Sequence, residues 1–139
     1  MRRVALLAAL SAASFGGPAA ADVVAEIKLS QQTMVVSVDG VVHHVWRVST
    51  GRSGWRTPTG TFRPQSMQVR HFSTLFNGAP MPYSIFFHGH FAVHGTNEIR
   101  NLGRRASHGC VRLHPVNART LFELIKGTGP GNARIVVTS

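Results

Sequence analysis

Three runs of β-branched residues follow one another near the start of the chain. They cover Val23–Leu29, Met34–Val38 and Val41–Ser49, and the pair Asp39-Gly40 separates the second run from the third. Valine, isoleucine and threonine favour extended backbone, and Asp-Gly is a strong two-residue signal for a tight hairpin turn. The sequence therefore predicts that this part of the chain forms an antiparallel sheet.

Shorter apolar runs continue the β pattern, with a single helix among them. The helix is predicted to begin at His114-Pro115, because proline suits the first helical position, and to end at Gly127. Further strands are predicted at Phe62, Val69–Phe72, Ile85–Phe87, Phe91–His94 and Ile135–Thr138. The predicted fold class is mainly β, with about seven or eight strands and one short C-terminal helix in a single domain.

The first 21 residues have the pattern of an export signal. Arg2 and Arg3 precede the apolar run Val4–Phe15, and Ala19–Ala21 supplies the small residues at which signal peptidase cleaves. The run is shorter than the ~20 residues that a membrane-spanning helix needs, which favours a cleaved signal peptide over an anchor. We therefore expect residues 22–139 to form an exported domain in the periplasm or cell envelope.

Charge and motifs narrow the classes of function. The chain has 15 Lys and Arg against 5 Asp and Glu, which favours anionic partners, while export and the lack of a recognition element argue against nucleic acid. No pair of carboxylates suits glycosidase chemistry, and no P-loop or GxGxxG motif supports nucleotide binding. A non-catalytic module that binds anionic cell wall is an alternative, through Arg47, Arg52, Arg56, Arg63, Arg70, Arg100, Arg104 and Arg105.

The one cysteine of the chain, Cys110, is the strongest candidate for chemistry. It cannot form an internal disulfide, and an unpaired thiol is a hazard in an oxidising compartment unless it has a role. Gly109 removes a side chain beside the sulfur and leaves backbone N–H groups free to face an oxyanion. Three residues can supply a base or the positive surroundings that lower a thiol pKa: His94, His108 and Arg112. These parts suit acyl transfer.

A zinc hydrolase is the alternative chemistry. If residues 88–94 formed one strand, alternation would place His88, His90 and His94 on one face, and three histidines can hold a catalytic zinc ion. That alternative leaves Cys110 and its neighbours without a role.

The residues around Cys110 resemble the active-site signature of the L,D-transpeptidase catalytic domain family. His94-Gly95-Thr96 is followed, at a spacing of 16 residues from His94 to Cys110, by the stretch Ser107–Leu113, which reads SHGCVRL. Thr57–Phe62 and Met81–Tyr83 resemble further segments of the same family. The resemblance covers nearly all of residues 22–139. It implies a β-sandwich with a short helix and an envelope enzyme, with no cofactor or metal, that acts on peptidoglycan stem peptides.

Carried over residue by residue, the resemblance makes Cys110 the nucleophile and His94 the base. It places His108 and Gly109 in the catalytic loop and implies that the N–H groups of Gly109 and Cys110 form the oxyanion hole. The residues expected to contact substrate are Gly95, Thr96, Ser107 and Arg112.

The implied reaction is attack on the L,D bond between diaminopimelate and the terminal D-alanine of a tetrapeptide stem. D-Alanine leaves, and the acyl group passes to an amine. The acceptor is open: a second stem peptide, an envelope protein, or water, in which case the enzyme is an L,D-carboxypeptidase or a hydrolase that releases wall proteins. The resemblance also implies that carbapenems acylate Cys110.

Two further expectations come from the residues themselves. His94 ends the apolar strand Phe91–Val93, so its backbone is held more rigidly than that of His108, and a backbone carbonyl is expected to orient its ring in preference to Glu98. Arg112 has two roles open to it, since its guanidinium group can bind a substrate carboxylate or brace the loop.

Overall fold

The computed structural model of the chain describes residues 22–139, and the predicted signal peptide lies outside these residues. Within them the chain forms nine strands and one α-helix. In chain order these are β1 (Val23–Lys28), β2 (Thr33–Val38), β3 (Val41–Arg47), β4 (Gly60–Phe62), β5 (Ser66–Gln68), β6 (Ser84–His88), β7 (Phe91–Gly95), β8 (Val111–Leu113), α1 (Pro115–Thr128) and β9 (Ala133–Thr138). The strands make two sheets, ordered β3-β2-β1-β9-β4 and β5-β6-β7-β8.

The first three strands form the antiparallel meander that the sequence predicts. Asp39 and Gly40 join β2 to β3 with φ angles of 50° and 78°. Positive φ at both central residues is the geometry that matches a hairpin turn to the twist of its strands. β1 also pairs with β9 in parallel, which brings the end of the chain into the same sheet.

Inward-facing side chains of both sheets and the helix meet in one core. Ile27 and Ile135 come from the first sheet, Phe87 from the second, and Leu121 from α1, and each is almost fully buried. The helix packs mainly against β7. The mainly β, single-domain prediction is therefore confirmed, and the helix supports the strand that carries His94.

The strand predicted at Val69–Phe72 is wrong. The regular strand lies earlier, at β5, and residues 69–83 continue it as an irregular arm held by single backbone hydrogen bonds, from Tyr83 N–H to the Val69 carbonyl and from Met81 N–H to the His71 carbonyl. Pro80 and Pro82 have no N–H to donate, so a regular ladder cannot form along this arm.

The end of α1 and one short strand also differ from the prediction. α1 continues through Gly127 to Thr128 and ends because Gly129 has a φ of 97°, although the Gly129 N–H still donates to the Ile125 carbonyl in the helical pattern. At the other end, the His114 ring accepts the Val116 N–H, which caps the helix where the sequence predicted its start. β8 was not predicted, since three residues are too few to show a period. Within residues 22–139, no helix is long and apolar enough to cross a membrane.

The packing of α1 predicts a contrast between its two faces. Leu121 is fully buried and Val116 is 64% exposed. Leu121→Ala should lower the free energy of unfolding by about 2–5 kcal/mol, because it leaves a cavity in the core, whereas Val116→Ala should change it by about 0.5 kcal/mol or less. Urea unfolding of both variants measures this, and equal losses would contradict the placement of the helix.

Candidate active site

A parallel pairing of β7 with β8 brings the two sequence motifs together. Its register sets His94 beside Arg112 and Gly95 beside Leu113. Cys110 directly precedes β8, so the sulfur enters the site at the end of a strand adjacent to the one that carries His94. His94 and Cys110, 16 positions apart in sequence, thus lie on and directly beside two adjacent strands.

Hydrogen bonds brace the loop before Cys110 on two sides. On one side, Ser107 bonds through its backbone N–H to the Thr50 carbonyl and through its carbonyl to the Arg52 N–H, at 2.9 and 3.0 Å. On the other side, the Thr57 hydroxyl donates to the Gly109 carbonyl at 2.7 Å. The loop is therefore held in place by the segment at 50–57.

The Ser107 hydroxyl bonds within the catalytic loop. It donates to the Cys110 carbonyl and accepts the Gly109 N–H at 3.0 Å. Ser107 lines the cleft as expected of a substrate-contacting residue, but its hydroxyl already shapes the turn that presents the sulfur. The Gly109 N–H, one of the two donors implied for an oxyanion, is likewise engaged inside the loop.

Only glycine fits at position 109. Its φ is 116°, and an added Cβ would lie 2.5 Å from a ring carbon of Phe91. Residues other than glycine rarely adopt this backbone geometry. The distance from an added Cβ to the Phe91 ring would also be far shorter than van der Waals contact. The tight approach of Phe91 therefore sets the position of the residue that precedes the nucleophile.

His94 is buried, with 6% of its surface exposed, and its ring has a defined orientation. Nδ1 lies 2.7 Å from the Gly95 carbonyl, and because a carbonyl only accepts, Nδ1 carries the proton and Nε2 has the free lone pair. Burial lowers the pKa of His94 to about 4, although the bond to Gly95 raises it. The backbone carbonyl takes the orienting role expected of it, and at neutral pH the imidazole is an uncharged base.

The Cys110 thiol is half-buried and lies 3.8 Å from the His90 carbonyl. Burial raises the pKa of Cys110, and this effect outweighs the Ala92 N–H and the Arg112 charge, which both lower it. The sequence suggested positive surroundings that would lower this pKa, and the net direction is the opposite. Cys110 and His94 therefore rest as a neutral thiol and a neutral imidazole.

His108 lies over aromatic side chains. Its ring stacks on Phe76 at 4.2 Å between centroids and meets Trp55 edge-on at 4.9 Å. Arg52 donates to its Nε2 at 3.1 Å, and because a guanidinium group only donates, the lone pair of Nε2 is occupied. Partial burial and the Arg52 charge lower the pKa of His108. In this conformation its ring has no free lone pair to accept the thiol proton.

A cleft of about 520 Å³ opens beside the sulfur. Cys110, His94, Thr96 and Arg112 line one wall, and residues 73–81 of the irregular arm line the other. The volume lies in the range of sites that hold small ligands.

Arg112 and Thr96, which line the same wall of the cleft as Cys110, both bond to Glu98. Arg112, with 18% of its side chain exposed, pairs with the Glu98 carboxylate at 3.1 Å. The Thr96 hydroxyl accepts the Glu98 N–H at 3.0 Å. Glu98 thus positions the guanidinium group and does not contact the ring of His94, which bonds to the Gly95 carbonyl.

Gly95 is not among the residues that line the cleft. A Cβ there would lie 3.1 Å from Pro82 and 3.2 Å from Pro115. Gly95 was expected to contact substrate, whereas in the structure the space beside it is filled by the start of α1 and the irregular arm.

The proposed zinc site is absent from the described residues. His88 ends β6, and Gly89 and His90 form the turn before β7, so no single strand aligns His88, His90 and His94. Gly89 has a φ of 54°, which reverses the chain. Within residues 22–139, no three His, Cys, Asp or Glu side chains lie close enough to hold a metal ion.

Sequence reasoning missed two residues that touch this site. Phe76 lies in a turn-rich segment with no motif, and its stacking on His108 joins positions 32 apart in sequence. Arg52 was one of many scattered arginines, and only the fold shows that it reaches His108. Arg104, another of these arginines, bonds to the Asn101 side chain at 2.7 Å.

The model of the YkuD family, described as the L,D-transpeptidase catalytic domain, matches residues 22–137. The chain belongs to this family. It is 24% identical over 111 residues to the protein YkuD of Bacillus subtilis (strain 168), covering 80% of this chain and 63% of that protein.

Solved L,D-transpeptidase structures share the fold. A crystal structure of an L,D-transpeptidase from Mycobacterium tuberculosis H37Rv superposes with a TM-score of 0.77 at 24% identity, over 86% of this chain and 58% of that one. The structure of LdtMt1 in complex with imipenem superposes with a TM-score of 0.76 at 23% identity, over 85% of this chain and 59% of that one. The chain thus spans less than two thirds of the length of each of these relatives.

The buried neutral His94 predicts a specific loss of stability in acid. An unfolded histidine takes up a proton near pH 6.5, whereas the folded ring does so only near pH 4, so stability is fully present above pH 6.5 and falls as the pH drops toward 4. The loss amounts to about 3 kcal/mol. His94→Asn, whose amide can still donate to the Gly95 carbonyl, should lose less stability over this range in urea unfolding. A variant with the wild-type pH dependence would contradict the neutral buried ring.

Proposed function

We propose that this protein is a cysteine L,D-transpeptidase of the cell envelope that acts on peptidoglycan tetrapeptide stems. The observation that carries the proposal is the pairing of one cleft-lining thiol, Cys110, with a cleft-lining neutral imidazole, His94, whose free Nε2 can accept a proton. The basic charge of the chain and its export pattern agree with a wall substrate.

In the first half of the reaction, the Cys110 proton moves to Nε2 of His94 as the sulfur attacks the diaminopimelate carbonyl of the L,D bond. The oxyanion faces the Cys110 N–H, since the Gly109 N–H is engaged by Ser107. His94 then gives its proton to the departing amine of D-alanine, and the carbon–nitrogen bond breaks. A thioester on Cys110 remains.

In the second half, an acceptor amine attacks the thioester and passes its proton to His94, which returns a proton to the sulfur. We assign this role to the amine of a second stem peptide. An envelope protein or water reacts with the same thioester by the same steps, and water gives the carboxypeptidase or hydrolase outcome. Product analysis of digested sacculi by mass spectrometry distinguishes the three.

Arg112 suits the substrate end of this scheme. Its side chain lies in the cleft next to His94 in the strand register, and Glu98 holds one of its nitrogens. Its other donors can meet a stem-peptide carboxylate. Thr96 and Ser107 line the same cleft, and both hydroxyls also have partners within the protein. We therefore assign carboxylate recognition to Arg112 and a shaping role to Thr96 and Ser107.

A carbapenem should form a covalent adduct with Cys110, because its strained lactam is an acyl donor that needs only the nucleophile and its base. The structural relative LdtMt1 has been solved in complex with imipenem. Intact mass after incubation with imipenem should rise by the mass of one drug molecule, and peptide mapping should place it on Cys110.

Cys110→Ser is the control for this experiment, since a hydroxyl is a much weaker nucleophile at neutral pH in the same geometry. It should keep the circular dichroism spectrum of the wild type and form no adduct. An adduct on another residue, or a serine variant as reactive as the wild type, would overturn the cysteine mechanism.

A further inference from the structure

A second cleft lies next to the first and carries only positive side-chain charge. It measures about 410 Å³, and its charged side chains are Arg52, Arg56 and Arg105. All three residues are exposed, and within residues 22–139 none of them lies within salt-bridge distance of a carboxylate. Ser139 also lines the cleft, and even with a terminal carboxylate counted there, the guanidinium groups outnumber it three to one.

Arg52 forms part of the wall between the two clefts. Its backbone N–H bonds to the Ser107 carbonyl in the catalytic loop at 3.0 Å, and its guanidinium group donates to His108, which lines the catalytic cleft. Gly54 also lines the second cleft, and a Cβ added there would meet nothing within 4 Å. A ligand in the second cleft would therefore contact Arg52, which is itself hydrogen-bonded to the catalytic loop.

The free positive charge fits a carboxylate ligand. Guanidinium groups bind carboxylates with paired, charge-assisted hydrogen bonds, and several in one concave site favour a ligand with more than one acidic group. A peptidoglycan stem peptide carries carboxylates along its length. The donor stem has to place its scissile carbonyl at Cys110 in the first cleft, so the second cleft is available to the other reactant.

We propose that the cleft of Arg52, Arg56 and Arg105 is the subsite that binds carboxylates of the acceptor stem peptide. This inference rests on the proposed transpeptidase function and names where its second substrate binds. Held there, the acceptor would present its amine across the Arg52 wall to the thioester. The subsite also accounts for arginines that neither pair with acids nor take part in the chemistry.

The test measures binding without turnover. The ligand is the stem tripeptide that ends in diaminopimelate, which carries the acceptor amine and lacks the D-alanine that a donor needs. Calorimetry compares its affinity for three proteins: Cys110→Ala alone, Cys110→Ala with Arg56→Gln and Arg105→Gln, and Cys110→Ala with Arg119→Gln and Lys126→Gln. The last removes the same charge from the exposed surface of α1.

Loss of the two cleft arginines should weaken tripeptide binding about tenfold or more, while the α1 control stays near the Cys110→Ala value. A tripeptide with amidated carboxylates should bind the intact cleft as weakly as the acidic one binds the Arg56→Gln, Arg105→Gln protein. Equal affinities for all three proteins, equal weakening in the α1 control, or tight binding of the amidated peptide would each overturn the proposal.

Imipenem acylation separates this proposal from the proposed function. With Cys110 present, the Arg56→Gln, Arg105→Gln protein should be acylated at the wild-type rate, since neither side chain lines the catalytic cleft. If the wild type itself is not acylated, the cysteine mechanism fails, while the binding measurement still decides the subsite.

Discussion

The parallel pairing of β7 with β8 is the constraint on which the site depends. β8 is only three residues long, and it is held from both sides: by β7, and by Ser49, which exchanges two backbone hydrogen bonds with Arg112 at 3.0 and 2.8 Å. Pairing on both sides fixes β8, the strand that follows Cys110. The loop that precedes Cys110 is hydrogen-bonded to residues 50–57. The sulfur is thus positioned by backbone on both flanks.

Burial decides the protonation state of the reacting pair. It lowers the pKa of His94 and raises that of Cys110, so both groups rest uncharged. A buried ion pair would have to overcome the desolvation of two charges, which the neutral pair avoids. Because the thiolate is the form that oxidants attack, a protonated resting thiol is also less prone to oxidation than a thiolate would be. Proton transfer then accompanies attack on substrate.

Local signals in the sequence predicted the parts of the structure that depend on near neighbours. The Asp39-Gly40 turn and the proline at the start of α1 are of this kind, because each is set by the backbone preferences of one or two residues. The residues alone left His94 and His108 both open as the base for Cys110, and the two motifs and their spacing, which resemble a known family, indicated that His94 and Cys110 share one site. A lone His and a lone Cys in unrelated positions would not have indicated it.

Contacts between distant segments could not be predicted. The stacking of Phe76 on His108 and the bond from Arg52 to His108 depend on how the irregular arm and the 50–57 segment fold over the catalytic loop. The thiol pKa was predicted in the wrong direction for a similar reason. Nearby charges can be read from sequence, whereas burial, which dominates here, is a property of the whole fold.

The most direct test of a neutral His94 base is the pH dependence of kcat/KM for D-alanine release from a stem tetrapeptide, because this ratio reports the pKa of the free enzyme's base. The wild type should stay active down to about pH 5 and lose activity only through the His94 pKa of about 4. His108→Asn should keep this profile, and His94→Asn should lose about 100-fold or more in kcat/KM. A fall of kcat/KM in acid that is centred near pH 6.5 would contradict His94 as the neutral base. So would a fall in acid that disappears in His108→Asn and persists in His94→Asn.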